Sequence, residues 1–200
     1  MNEYIDAIVE LEWSMFSEVK NIGGRAACQD DPVTFDIMRR SQFETWDAHS
    51  LESYLDDLFL AESKGENIVA YKYAYMMAYS LPDEFERISA KLPHISEEKY
   101  AFARRLTDCH LKWHREIAEV YPKLAGRGRP ELMADETAGE VSFENYTLGE
   151  FLSMSLRTLK RCDTHAEKLA HEGLNMALMT IENMVRLYGF PSIEDAEANL

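Results

Sequence analysis

Between residues 96 and 121 the apolar side chains Phe102, Leu106, Cys109, Trp113, Ile117 and Val120 return every three or four positions. That spacing lines them along one face of an α-helix, and so long a stripe must be covered by other helices. It predicts a bundle. Nowhere does the chain alternate apolar and polar residues over the length of a strand.

The rest of the chain follows the same period. A helix is expected over about 3–20, with Ile5, Ile8, Met15, Phe16 and Val19 inward, ending at the Gly23-Gly24 turn. Asp31-Pro32 opens the next, since Asp caps well and Pro suits a first helical position that needs no N–H; its stripe reads Phe35, Met38, Gln42 and Trp46. A third helix over 50–64 presents Leu51, Tyr54, Leu55, Leu58 and Phe59 and stops at Gly65. Asn67 caps a Tyr- and Met-rich fourth over 68–80, and a short helix after Leu81-Pro82 runs to about Lys91. Ser96 caps the long helix. Ser142 caps one expected to reach Cys162, and another runs from about Thr164 to Tyr188, or the two form one helix kinked near Asp163. The expected fold is therefore all-α: a single-domain helical bundle over 1–200, with about seven or eight helices and one long irregular loop near residues 122–142.

Composition narrows the partners. The formal net charge is −15, from 36 acidic and 21 basic residues, which opposes phosphate neutralisation and argues against nucleic acid. No window offers the roughly 18–20 apolar residues of a membrane span, and the acidic start lacks the basic flank of a secretory signal. Cys28, Cys109 and Cys162 show no zinc spacing and read as reduced thiols. A cytoplasmic location is expected. The Tyr/Met-rich faces are compatible with a homo-oligomer, which nothing in the sequence requires.

Against this background the stretch Glu12–Trp46 stands out. Glu12 interrupts the inward stripe of the first helix, where an unpaired carboxylate is costly to desolvate. Arg39 and Lys72 also sit on semi-apolar faces and are its candidate partners. The turn GGRAACQDD brings Arg25, Gln29 and Asp30 to the entrance of the second helix, where backbone N–H groups and a guanidinium suit an anion. One reading is a buried pocket for a small polar or anionic metabolite. In it Glu12 and Lys72 are the candidate catalytic acid–base groups; Arg25, Gln29, Asp30, Arg39 and Gln42 bind ligand, Trp46 and Tyr73 form an aromatic wall, and Arg127 and Arg129 form a lid. The alternative is a non-catalytic interaction module whose polar network only fixes helix packing.

Other chemistries find little support. There is no Glu-x-x-His pair for a di-iron bundle, no phosphate loop and no nucleophile elbow, so no metal site is expected and no cofactor is indicated. Arg105 and His110 have a spacing similar to that of HEPN-type helical ribonucleases, but Leu106 stands where a polar neighbour is expected.

The string NIGGRAACQDDPVTFDIMRRSQFETW at 21–46 resembles an uncharacterised bacterial family, the domain of unknown function four-one-two-five. The likeness continues through Lys72-Tyr73-Ala74 and Met76-Met77, YPKLAGRGRP at 121–130, Ser142-Phe143-Glu144, and Ala177 to Gly189. The resemblance implies a bacterial, helical, single-domain protein and assigns no catalytic residue.

Overall fold

A computed structural model describes residues 1–21, 23–137 and 140–200, and among them every regular element is helical. The α-helices are α1 Asn2–Ser17, α2 Pro32–Phe43, α3 Ala48–Lys64, α4 Ile68–Ser80, α5 Pro82–Ser89, α6 Glu97–Val120, α7 Pro122–Gly126, α8 Phe143–Ser153, α9 Leu156–His171, α10 Met176–Leu187 and α11 Ile193–Asn199. Short 3-10 turns lie at Ala27–Asp30 and Met133–Asp135.

Side-chain caps set most of the helix starts. Asp31, Asp47, Asn67, Ser96, Ser142, Ser155, Asn175 and Ser192 each accept the backbone N–H three residues on. Pro32, Pro82 and Pro122 each open a helix. At the other end, Gly65 takes the left-handed conformation (φ 67°) that closes α3.

The eleven α-helices among the described residues exceed the seven or eight expected. Part of the difference lies after Ser142. Met154 is extended and Ser155 caps a new helix, so α8 stops well before Cys162. The break expected near Asp163 is absent, and α9 runs through it to His171. Gly173 (φ 71°) and the Asn175 cap then separate α9 from α10. In the stretch near 122–142 residues 138 and 139 lie outside the described residues, and the others are less irregular than expected. Pro122 starts α7, whose Lys123 and Leu124 N–H groups donate to the Glu197 carboxylate at 2.9 and 2.8 Å. Phe143 and Glu144 N–H bond back to the Pro130 and Glu131 carbonyls.

Helix α4 packs along α8, α8 against α6, and α6 against α9 and α10. Helix α1 contacts α2, α3 and α4, while α2 leans on α10. One connected apolar core runs from Ile5 and Ile8 through Phe43, Leu51, Leu58, Leu106 and Trp113 to Phe151 and Leu159. Three residues expected inward lie outward instead: Met38 and Phe59 are about half exposed, and Val120, at the very end of α6, more so.

Close approach of α4 and α8 depends on Gly149, where a Cβ would fall 2.7 Å from Met76 Cγ and 2.9 Å from the Lys72 carbonyl oxygen. Gly149→Ala is therefore expected to cost about 1–3 kcal/mol by overpacking. At roughly 2–4 °C per kcal/mol for a chain of this size, thermal denaturation will report it. Gly126→Ala, which meets nothing within 4 Å, is the control. An unchanged melting temperature in Gly149→Ala would refute the close-packing account.

Candidate functional site

Five helices send polar side chains to one point in the core. Helix α1 supplies Glu12, α2 Arg39 and Gln42, α3 Tyr54, α4 Lys72 and α8 Glu150. The four charged residues are 2–8% exposed. Arg39 grips Glu12 through two bonds, Nε to Oε2 at 2.6 Å and Nη2 to Oε1 at 2.7 Å. Its Nη1 donates to Gln42 Oε1 at 2.8 Å and to the Glu150 carboxylate at 3.2 and 3.3 Å. Lys72 Nζ donates to Glu150 Oε2 at 2.5 Å, Gln42 Nε2 to Glu150 Oε1 at 2.7 Å, and the Tyr54 hydroxyl to Glu12 Oε1 at 2.6 Å. Two carboxylates face two cations, so the group is charge-balanced.

This pairing decides the protonation states. Burial pulls the Arg39 guanidinium toward neutrality, but Glu12 and Glu150 outweigh it and hold Arg39 well above its ordinary range. Burial acts the same way on Lys72, and Glu150 with Tyr146 overcomes it. For Glu150 burial raises the pKa, yet Arg39 and Lys72 bring it far below the usual carboxylate range. Burial, then the charge of Glu12, pushes the Tyr54 phenol up. Lys72 and Glu150 are thus fixed charges near neutral pH, whereas general acid–base groups work best with a pKa near the operating pH.

Around the network lies a half-buried aromatic and cationic rim. Lys72 Nζ sits 3.6 Å from the centre of the Tyr146 ring, and the Arg129 guanidinium lies 4.6 Å from the same ring. Tyr73, whose phenol burial pushes up to about 12, has Lys72 Nζ 6.0 Å from its ring and packs against Phe16. Arg129 Nη1 also donates to the Val141 carbonyl at 3.2 Å.

The structure therefore gathers Glu12, Arg39, Gln42 and Lys72, with Tyr73 and Arg129 at the rim. Trp46 is buried against Phe43 and Tyr54 and meets the network only through them. Arg25, Gln29 and Asp30 form a separate cluster at the end of α1. Gln29 Nε2 donates to the Phe16 and Val19 carbonyls, and its Oε1 accepts from Asn21 Nδ2 and Ala26 N–H. Arg25 pairs with Asp30 at 2.8 Å and also donates to the Ser17 and Gln29 carbonyls. These bonds close the turn onto α1. Arg127 is exposed on the surface after α7.

Three participants were not anticipated. Glu150 left a signal: it is the only charged residue between Asn145 and Leu156, in a helix buried nearly all round. Tyr54 read as one more residue of the third helix's apolar stripe, and nothing in the spacing singled out Tyr146. Of the rejected chemistries, Arg105 is bound to Asp163 and overlies Phe102, and His110 is enclosed by Trp113 and Phe151. Among the described residues no group of three His, Cys, Asp or Glu is placed to hold a metal ion, and no helix is long and apolar enough to cross a membrane. A cavity of about 510 Å³ between α4, α5 and the start of α6, lined by residues such as Tyr75, Phe85 and Ile95, does not reach the network.

Two outcomes follow for stability. Glu150→Gln leaves two buried cations short of a counter-charge and is expected to destabilise by about 3–5 kcal/mol; adding Lys72→Met should recover part of that loss, and chemical denaturation of both variants measures it. Additive losses would show that Lys72 and Glu150 are not coupled. The second concerns pH. Burial lowers the pKa of His110 to about 4, whereas the unfolded chain binds that proton near about 6.5. Between those values the unfolded state carries more protons, so stability falls as pH drops from about 6.5 toward 4. A His110→Phe variant should show a flatter stability–pH curve across that window.

Comparison with known proteins adds one match. No curated protein and no solved structure matches the chain. A family model described as "Protein of unknown function (DUF4125)" matches residues 2–198. With essentially its whole length covered, the chain belongs to the DUF4125 family.

Proposed function

We propose that this is a cytoplasmic bacterial protein that binds a small polar or anionic metabolite at the rim of the buried network, with Glu12, Arg39, Lys72 and Glu150 presetting the side chains that touch the ligand. The observation that carries this reading is Tyr146, a half-buried ring flanked by the Lys72 ammonium and the Arg129 guanidinium. A cationic and aromatic edge of this kind, in a chain of net charge −15, is where an anion gains most. Gln42 and Tyr73, both half-buried, add an amide and a phenol. Lys72 and Glu150 then serve as fixed charges while Glu12 anchors Arg39, and binding is favoured over acid–base catalysis.

A second reading rests on a different observation: the four buried charges neutralise one another, as they would in an interaction module whose network is purely structural.

A thermal-shift screen with carboxylate and phosphate metabolites separates the two. A ligand at a hundred times its Kd stabilises by about 2.7 kcal/mol, a shift of roughly 5–10 °C here. Arg129→Ala should abolish that shift with little change in the melting temperature of the free protein, whereas Tyr146→Ala should abolish it while also lowering that temperature, because its ring covers the Lys72 ammonium. A shift that survives both variants counts against the rim, and the absence of any shift across the panel favours the module.

A further inference from the structure

Among the described residues, three buried side-chain atoms have no hydrogen-bond partner, and two of them belong to residues bordering one cavity: Ser50 Oγ on α3 and His165 Nδ1 on α9. Ser50 is fully buried, and the His165 side chain is 10% exposed. The cavity offers about 10 Å³ to the centre of a water-sized sphere and is walled by Trp46, Leu106, Phe151 and Met176. By that measure one water molecule needs roughly 10–15 Å³. His110 and Cys162 complete the lining.

The hydrogen-bond chemistry specifies what fits. His165 Nε2 lies 2.8 Å from the Thr45 carbonyl oxygen. A carbonyl only accepts, so Nε2 carries a hydrogen, and in the neutral ring Nδ1 is then a bare acceptor that needs a donor. Asp47 Oδ2 is 3.8 Å away, beyond hydrogen-bond reach, and could not donate as a carboxylate. The Ser50 hydroxyl lies near the Cys162 thiol and near the Asp47 carboxylate, whose Oδ1 already accepts the Ser50 backbone N–H, without hydrogen-bond geometry to either; it can both donate and accept. Burial raises the Cys162 thiol well above its usual range, so the cavity holds no thiolate, and burial lowers the His110 imidazole to a pKa of about 4. The polar lining residues are uncharged when His165 is neutral, and the Asp47 carboxylate lies just outside them. The cavity therefore suits a small neutral molecule that both donates and accepts, and an anion there would be uncompensated.

We propose that this cavity is a binding site for a single water molecule, which donates to His165 Nδ1, bonds Ser50 Oγ and joins α3 to α9. It lies directly behind Trp46, whose ring supports Tyr54 and, through Tyr54, Glu12.

A crystal structure of the full chain at a resolution that orders waters tests the assignment. The expected result is a density peak within hydrogen-bond distance of both Ser50 Oγ and His165 Nδ1, with nitrogen NMR shifts placing the His165 hydrogen on Nε2. Ser50→Val, which removes the hydroxyl and fills the space, should lack the peak. Should that variant not fold, pressurising wild-type crystals with xenon gives an independent answer, because a hydrated polar cavity excludes the gas. Xenon in the cavity, no peak in the wild type, or Ser50 Oγ rotated to donate directly to His165 Nδ1 would each overturn the proposal.

Discussion

Arg39 is the residue on which the centre of the molecule depends. Its guanidinium is the single donor group that reaches Glu12 on α1, Gln42 on its own helix and Glu150 on α8. Helix α2 packs on α1 and α10, but it meets α8 mainly through these side chains. A fork of planar donors is what lets one cation serve two carboxylates at once; a lysine at the same place would offer a point charge and lose the paired grip on Glu12. The contacts also join residues 27 and 111 positions apart in the chain.

Burying four charges is not in itself a route to stability. Taking each ion out of water costs several kcal/mol, and well-packed apolar residues of similar volume often do as well or better. What the arrangement supplies is selectivity of packing: Arg39 has a low-energy position only when α1, α2 and α8 are in register, and any slip leaves a charge buried without its partner. The pKa directions express the same balance. Burial acts against the charged forms of Arg39, Lys72 and Glu150, yet the partners prevail for all three. The network is therefore rigid in charge as well as in geometry.

How far this was readable in the sequence depended on whether a residue's partners were local. The all-helical fold followed from apolar spacing, and caps such as Asp31, Asn67, Ser96 and Ser142 declared themselves because they act within one turn. Ser155 and Asn175 carried the same signal but lay inside stretches whose apolar period continued across the break, so three helices read as two. Glu12, Arg39, Gln42 and Lys72 stood out because each interrupts an inward stripe. Arg25, Gln29 and Asp30 stood out equally, yet their hydrogen bonds stay largely within their own turn and the end of α1. Glu150 was the reverse case: its helix is buried on nearly all sides, so it stood out from no apolar stripe, and only its being the one charge between Asn145 and Leu156 marked it.

The same contrast bears on where a ligand can act. A guanidinium that already holds two carboxylates and an amide has few donors left, and Lys72 directs one N–H at Glu150 while its charge rests on the Tyr146 ring. To recruit either cation, a ligand would have to break bonds in a desolvated site and leave a carboxylate unpaired, at a penalty larger than a typical hydrogen bond returns. Groups at the rim face a smaller penalty. Tyr146 and Gln42 are half-buried, Gln42 keeps one amide N–H beyond the one it gives Glu150, and the exposed Arg129 spends one N–H on the Val141 carbonyl. The buried network then contributes as a fixed foundation: by holding Lys72 and Gln42 against Glu150, it sets the position of the Tyr146 face and of the Gln42 amide before any ligand arrives. Preorganisation of this kind lowers the ordering cost of binding, and it gives a physical reason for a charge network to lie beneath a site without taking part in it.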